Sequence, residues 1–368
     1  MQRMRQWLHG DEGAVATLVA VLLAFGVLTG MAALTVDVGQ LYGERRELQN
    51  GADAAALAVA KGCANGTMCD SRTDGISSQY ANANAHKDGK ADVENVCGAG
   101  NAALGTCPAS GPALTQCPAL PGGITNYVEV HTKTLEADGD TLLPPTFART
   151  LLGNDSYTGT TVAACARAAW GPPASLQASL PVTISVCEWE NYTANGTDYA
   201  PPPPYTSGYP SGYERALYLH NTTDATNCPS WAGSGGDAPG EFGWLETGGS
   251  CDALVNEDQE APDWTGVGTP NDCHGVIQRL VGTIVYVPIF DDVLDNGHYS
   301  IAQFAAFYLT GYNLPGASPN HVDSPVGGRL CQGQDKCLYG WFTTGIPPSG
   351  GGIGSGPPRG VNVVELVS

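Results

Sequence analysis

Basic side chains are scarce in this sequence. Lys and Arg number 16 against 36 Asp and Glu, which gives a formal net charge of -20. A protein that binds nucleic acid holds the phosphates with clustered Lys and Arg, and adhesion to an anionic membrane surface needs the same residues. The composition therefore disfavours both kinds of surface, and we expect no nucleic-acid partner.

Two other residue types are missing from the first part of the chain. Proline is absent from residues 1–107, and cysteine is absent from residues 1–62. A stretch without proline can form a long helix, because proline is the residue that most strongly breaks one. All 12 cysteines lie further on, and their even number indicates disulfides formed in an oxidising compartment. The 49 Gly and 26 Pro favour a turn-rich, β-leaning body over a helical bundle.

Motifs for catalysis are also missing. The sequence contains no H-E-x-x-H, no G-x-S-x-G, no Walker A and no G-x-G-x-x-G. Neighbouring carboxylates occur at Glu188 and Glu190 and at Asp291, Asp292 and Asp295. A hydrolase would need two such groups facing a cleft, and acidic residues are frequent enough here for chance pairs. We therefore predict no enzymatic activity, no catalytic residues, no metal and no cofactor.

The feature that stands out is an apolar run near the N-terminus. Residues 14–36 carry no charge over 23 positions, which is enough to cross a bilayer as a helix and longer than the core of a signal peptide. A membrane span at 14–36 is favoured over a cleaved signal peptide. Arg3 and Arg5 favour a cytoplasmic N-terminus, although Arg45 and Arg46 on the other side weaken that argument.

The helix is expected to continue past the membrane, from about residue 12 to residue 61. A helix-packing seam follows from apolar residues spaced alternately three and four apart, with Arg45 as the charged exception: Leu34, Val38, Leu41, Leu48, Ala52, Ala55 and Val59. Its partner would be the body of this chain or a neighbouring helix. Gly26 and Gly30 form a G-x-x-x-G pair that weakly indicates helix pairing in the membrane.

The segment "DEGAVATLVAVLLAF" followed by "VDVGQLYGERRELQNGADAAALAVAKG" resembles the N-terminal region of TadG-like proteins of tight-adherence (Flp) pilus-assembly systems. Strings such as "PVTISVCEW", "VYVPIFDDV" and "CLYGWF" resemble the extracytoplasmic part of actinobacterial members. The resemblance implies a pilus role, with pilin-like and other Tad assembly proteins as partners. The chain lacks the Glu that follows the cleavage site of pilin-like relatives, and the Asp-x-Ser-x-Ser of a von Willebrand A metal site. Neither property is carried over.

We predict an α+β fold: a long N-terminal transmembrane and stalk helix, then a β-rich, disulfide-containing extracytoplasmic body. The proposed divisions are 1–62 for the anchor and projecting helix, 63–171 for a small α+β region with Cys-rich loops, and 172–368 for a β-rich domain. The boundary is placed at Gly171, where two prolines follow. Alternating or apolar stretches predict strands, such as "YVEVHT", "GTIVYVPIF" and "YSIAQFAAFYLTGYNL".

Short spacings suggest two disulfides, Cys63 with Cys69 and Cys331 with Cys337. The other cysteines are expected to be bridged in a pairing that the sequence leaves open: Cys97, Cys107, Cys117, Cys165, Cys187, Cys228, Cys251 and Cys273.

Three function classes follow. The leading one is a non-enzymatic, single-pass protein of the plasma membrane, with a cytoplasmic N-terminus, that contacts the lipid bilayer through its N-terminal helix and serves assembly or surface presentation of Flp/Tad-type pili. The alternative is a single-pass cell-surface binding domain without a pilus role, which would use exposed aromatics such as Trp231, Trp244, Trp264 and Trp341. The third, a secreted hydrolase, is the least favoured. The sequence leaves open whether the protein enters the fibre or stays at its base.

Overall fold

The structure, a computed structural model, describes residues 11–24, 26–66, 69, 75–85, 91–108, 117, 119–136, 139–143, 145–147, 158–219, 228, 242–264, 268–294, 296–348 and 350–367. Helices in the described part are α1 (Asp11–Ala24), α2 (Val27–Ala64), α3 (Ile76–Ala83), α4 (Val186–Tyr192) and α5 (Ile277–Leu280). Short 3-10 turns cover Ser211–Tyr213 and Asn271–Cys273. The strands are β1 (Ala91–Ala99), β2 (Tyr127–Thr134), β3 (Ala163–Gly171), β4 (Ser175–Ala178), β5 (Val182–Ser185), β6 (Arg215–Tyr218), β7 (Phe242–Trp244), β8 (Ala253–Asn256), β9 (Glu260–Ala261), β10 (Ile284–Val293), β11 (Tyr299–Asn313), β12 (His321–Val322), β13 (Cys337–Thr343) and β14 (Val363–Leu366).

The N-terminal helical region is two helices. Between α1 and α2, Gly26 has a φ of 69°, a left-handed conformation that glycine adopts at little cost. Its backbone N–H donates to the carbonyl of Leu23 at 3.1 Å, as at the end of a helix. The prediction of one uninterrupted helix from residue 12 to 61, containing the span 14–36, is therefore wrong in that form. A glycine inside a helical pattern was enough to end the first helix.

The C-terminal half of α2 lies on a four-stranded antiparallel sheet with the order β1-β2-β3-β14. Small residues make the close approach possible: Ala52, Ala55, Ala56 and Ala60 are fully buried against Val128, Val130, Ala166 and Ala168. Helix α3 packs beside α2, and a Cβ on Gly51 would meet the carbonyl oxygen of Ala81 at 3.1 Å. The close contact between α2 and the sheet is therefore made on the helix side mainly by small side chains.

The last strand belongs to this first sheet. Strand β14 pairs antiparallel with β3, from Val363 opposite Gly171 to Leu366 opposite Ala168. The chain therefore returns to the helix–sheet unit of α2 and the first sheet at its last strand, after it has formed the second, larger sheet. The domain boundary at residue 172 stays a prediction. Strand β14 lies after this boundary in the sequence but pairs with β3, which lies before it.

The larger body is built on a second sheet with the order β6-β13-β11-β10-β5-β7, to which β9 and β12 add at β11. Its strands pair antiparallel except β5 with β10, which are parallel. Strand β11 is almost continuously buried, as a mostly apolar strand in the middle of a sheet is expected to be, and its polar residues Gln303 and Thr310 are buried with it. The main core gathers Leu180, Ile184, Phe242, Phe307 and Leu338 on this sheet. A small pair, β4 with β8, completes the body.

Six disulfides join all 12 cysteines. The structure pairs Cys63 with Cys69 and Cys331 with Cys337, the two pairs that the spacing suggests. The remaining bonds are Cys97–Cys107, Cys117–Cys165, Cys187–Cys228 and Cys251–Cys273. Each is expected to stabilise the body by about 2–4 kcal/mol, chiefly by restricting the unfolded chain.

The mixed α+β class with a β-rich, disulfide-bonded body is confirmed. Strand β1 and helix α4 were not foreseen, whereas the strands around β2, β10 and β11 lie where the alternation predicts them.

Candidate assembly surface

The N-terminal helices expose an unusual amount of large apolar side chain. In the described part of the chain, 11 of the 17 exposed large hydrophobic residues lie between residues 15 and 38. We call this set the exposed apolar segment: Val15, Leu18, Val19, Val21, Leu23, Val27, Leu28, Met31, Leu34, Val36 and Val38, each at least 40% exposed. A folded soluble surface rarely shows so many in one continuous stretch, so the segment is expected to have a partner outside the described chain.

The helix-packing seam divides into two halves. Leu48, Ala52, Ala55 and Val59 are buried on the first sheet, whereas Leu34 and Val38 belong to the exposed apolar segment and Leu41 is half-buried. The C-terminal half of the seam therefore has the body of its own chain as partner. For the N-terminal half, packing against a neighbouring helix stays a prediction.

Gly26 and Gly30 straddle the junction of the two helices. The N–H of Gly30 donates to the carbonyl of Gly26 at 2.7 Å, and Gly26 itself is left-handed. Membrane helix pairing through these glycines stays a prediction. Among the described residues, no helix combines the length and the apolarity needed to cross a membrane.

A loop from the body is clamped to α2 where the charge-free run ends. One oxygen of Asp37 accepts hydrogen bonds from the backbone N–H groups of Thr146, at 2.8 Å, and Phe147, at 3.0 Å. The hydroxyl of Thr146 also donates to the side-chain carbonyl of Gln40 at 2.8 Å. Hydrogen bonds to a carboxylate are stronger than neutral ones. The Asp and Gln of the "VDVGQLY" string therefore have a structural task, which no local pattern could reveal because the partners lie 109 residues away.

Polar contacts also fix the docked half of α2. The side-chain amide of Gln49 donates to the backbone carbonyl of Cys165 at 3.0 Å, and the hydroxyl of Thr132 donates to the carbonyl of Leu48 at 3.0 Å. At the end of the helix, the amide of Asn362 donates to the carbonyl of Ala64 at 3.0 Å. The helix is thus attached to β2, to β3 and to the residue that precedes β14.

A buried ion pair lies in the sheet beneath α2. The Glu129 carboxylate accepts from Arg167 Nε at 2.5 Å and lies 2.6 Å from His131 Nε2. Burial alone would raise the pKa of the Glu129 carboxyl, but hydrogen bonds to His131 and Arg167, together with their charges, outweigh it and lower that pKa. The carboxylate is therefore held charged inside the unit.

Two groups of potential metal ligands meet at Glu129: Cys117, His131 and Cys165 in one, Cys97 and Cys107 in the other. All four cysteines are bonded in disulfides. Zinc binds the thiolate form of cysteine, so these sulfurs are not available to it as such ligands.

The aromatic residues that the adhesive alternative relies on are largely internal. Trp244 is 3% exposed and Trp341 is 1% exposed, so the expectation that they lie on the surface is wrong. Trp341 stacks on Tyr308 and donates a hydrogen bond to the Tyr205 hydroxyl at 3.0 Å, because the apolar strand β13 is covered by the loop that follows Pro201. Trp264 is half-buried, and Trp231 lies outside the described residues.

The described members of the carboxylate pairs differ in burial and lie outside the cavity beside β8 and β9. Glu188 is fully buried on α4, while Glu190, Asp291 and Asp292 are exposed, and Asp295 lies outside the described residues. A cavity of about 360 Å³ opens beside β8 and β9, and Glu246, Asp252 and Glu260 line it instead. Within the described part of the chain, none of the carboxylates considered from the sequence lines this cavity.

These features define a class of protein: an apolar helical segment attached through a docked helix to a disulfide-bonded β-rich body. Residues 13–62, which cover nearly all of α1 and α2, match the family model for Tad, the TadE/G-like proteins of Flp pilus assembly. The N-terminal segment is therefore similar to TadE/G-like proteins, and the predicted resemblance is confirmed for residues 13–62. The resemblance of the body stays a prediction. The actinobacterial type stays a prediction. No curated protein and no solved structure matches the chain.

Proposed function

We propose that this is a non-enzymatic pilus-assembly protein whose exposed apolar segment inserts into the plasma membrane and whose body stands outside, where it serves assembly or surface presentation of Flp-type pili. One observation carries the proposal. The family match falls on residues 13–62, and the same residues contain the exposed apolar segment.

The charge pattern supports membrane insertion. The segment carries no charge from residue 14 to residue 36, and its large aliphatic side chains point away from the rest of the chain in both helices. About 20 helical residues cross the hydrocarbon core, and α1 with the first turns of α2 supplies that number together. In lipid, these side chains would leave water without needing a protein partner.

The body supports an extracytoplasmic location. Six disulfides are expected to form and persist only in an oxidising compartment. The docked half of α2 makes the connection stiff, because its fully buried alanines leave no room for the helix to pivot on the sheet. Force or position at the membrane would therefore be transmitted to the body.

The test is a deletion strain complemented with the wild-type protein or with the Leu23→Asp variant. We expect the deletion to abolish piliation, the wild type to restore it, and the variant to fail because a charge in the apolar segment opposes insertion. Shear fractionation of the wild-type strain then separates the two remaining roles. Full-length protein in the membrane indicates an assembly factor, and protein in the sheared fibres indicates a subunit. Normal piliation in the deletion strain would refute the proposed function.

A further inference from the structure

The loop clamped by Asp37 points to a second contact with the membrane. We propose that Thr146 and Phe147 lie at the membrane surface and that the ring of Phe147 inserts among the lipids, so that the body is held at two points. The inference rests on the proposed function, since it assumes that the exposed apolar segment is in a bilayer.

The loop is held in place at both of its ends. Asp37 and Gln40 bind Thr146 and Phe147 at one end. At the other end, Leu143 is 2% exposed and exchanges two backbone hydrogen bonds with Thr160, at 3.0 and 3.3 Å. The position of Phe147 along α2 is therefore fixed by the fold.

The clamp holds the loop at the level where the charge-free run of the N-terminal helices ends. Asp37 is the first charged residue after the run that ends at Val36, so the clamp marks the place where the exposed apolar segment would leave the hydrocarbon. Tyr42, which is 67% exposed, follows five residues later on the same helix. Aromatic rings are enriched where helices cross the membrane–water boundary.

The loop is also uncharged and largely apolar. Residues 141–147 read "TLLPPTF" and carry no charge in a chain whose net charge is -20. Phe147 is nevertheless 44% exposed, and its backbone N–H is fixed by the Asp37 carboxylate at 3.0 Å. An uncharged apolar tip beside the exposed apolar segment fits lipid, the environment that the segment itself requires. A protein partner is the competing occupant.

The consequence for function is orientation. A single helix allows the body to tilt and rotate about its point of exit, whereas a second contact on one side of α2 restricts both motions. A pilus-assembly protein would thereby present one face of its body at a defined height above the membrane.

The experiment places a photoreactive benzophenone amino acid at one of three positions in the full-length protein in cell membranes. The positions are matched in exposure: Val21 at 46%, Phe147 at 44% and Tyr80 at 46%. Val21 lies in the exposed apolar segment, and Tyr80 lies on α3, away from the clamp. After illumination, adducts with a clickable phospholipid and with protein are measured separately.

We expect lipid adducts at positions 21 and 147 severalfold above those at position 80. The Asp37→Ala variant should lower the adduct at 147 to the level at 80 and leave that at 21 unchanged, because only the clamp is lost. Lipid adducts at 21 but not at 147 would overturn this inference and leave the proposed function standing. Protein adducts at 147 in place of lipid would also overturn it. No lipid adduct at 21 would refute membrane insertion and this inference together.

Discussion

The two halves of α2 invert the usual relation between hydrophobicity and burial. In the C-terminal half the buried residues are mostly alanines, such as Ala52, Ala56 and Ala60, and they are fully covered by the sheet. In the N-terminal half, larger apolar residues such as Met31 and Leu34 are more than 60% exposed. The comparison teaches that the two halves meet different environments. The alanines suit a close helix–sheet contact, and the large aliphatics suit an apolar medium outside the chain.

A charge introduced into the docked half should have the largest effect. In Ala56→Asp, the carboxylate would be buried between α2 and the sheet without a partner, and we expect a loss of about 4 kcal/mol or more of unfolding free energy. Thermal unfolding of the purified protein measures it. Ala32→Asp, at an exposed site of the same helix, is the control and should leave the unfolding of the body unchanged. Equal losses in the two variants would contradict the division of α2.

The same change in the exposed apolar segment should act on membrane insertion instead. Replacing Leu23 by Asp is expected to oppose insertion by about 3 kcal/mol, the difference between an apolar and a charged side chain within a membrane helix. Membrane flotation of the full-length protein measures the fraction inserted, and Tyr80→Asp, at a 46% exposed position on α3, serves as the control. If Leu23→Asp floated like the wild type but unfolded at lower temperature, the segment would belong to the fold of the body.

A substitution at Glu129 tests how far the buried ion pair stabilises the sheet beneath the docked half of α2. In Glu129→Gln the hydrogen bonds to Arg167 and His131 lose their charged acceptor, and we expect a loss of roughly 1–3 kcal/mol. The folded-state pKa of this carboxyl is lowered from the reference value of 4.5. Its stabilising contribution is therefore present above pH 4.5 and is lost as the pH falls through the lowered pKa.

Unfolding measured between neutral and acid pH should show a smaller loss of stability for Glu129→Gln than for the wild type. Glu94→Gln, at an exposed carboxylate 3.5 Å from Lys133, should keep the wild-type pH profile. Parallel profiles for the wild type and Glu129→Gln would show that the buried pair does not stabilise the charged form.

The smallest effects are expected at two glycines of α2. Nothing lies within 4 Å of a Cβ added to Gly43, whereas at Gly51 it would meet Ala81 backbone atoms at 3.1 and 3.3 Å. Gly43→Ala should therefore gain up to about 1 kcal/mol of local helix stability. Gly51→Ala should gain nothing or lose stability, because α3 must move. Amide hydrogen exchange around each position measures both changes, and a gain at Gly51 would show that α3 is not closely packed there.

Much of this comparison could be predicted from the sequence, because periodicity reports local environment. The seam through Leu48, Ala52, Ala55 and Val59 predicted a packed helix, and the alternation at 127–134 predicted a strand. Strand β1 was not predicted, because its sequence "ADVENVCGA" has polar residues at several positions and a register shift near Glu94 interrupts the alternation. Helix α4 was not predicted, because it starts immediately after an apolar strand. Its N-cap is Ser185, which accepts a hydrogen bond from the N–H of Cys187.

Contacts between distant residues could not be predicted in this way. The bonds between Asp37 and the 146–147 loop, the pairing of β14 with β3 and the disulfide Cys117–Cys165 all join residues far apart in the chain. The break at Gly26 could not be predicted either, because the sequence does not show whether a glycine adopts a helical or a left-handed conformation. Local pattern determines the elements, and the clamp depends on how the body folds back on α2.

The most direct test of the central claim is protease treatment of intact producing cells, followed by alkaline carbonate extraction of their membranes. We expect the protease to digest the β-rich body from outside the cell. An N-terminal fragment containing the exposed apolar segment should stay in the membrane pellet. Extraction of the full-length protein into the carbonate supernatant, or protection of the body until the cells are lysed, would contradict the central claim.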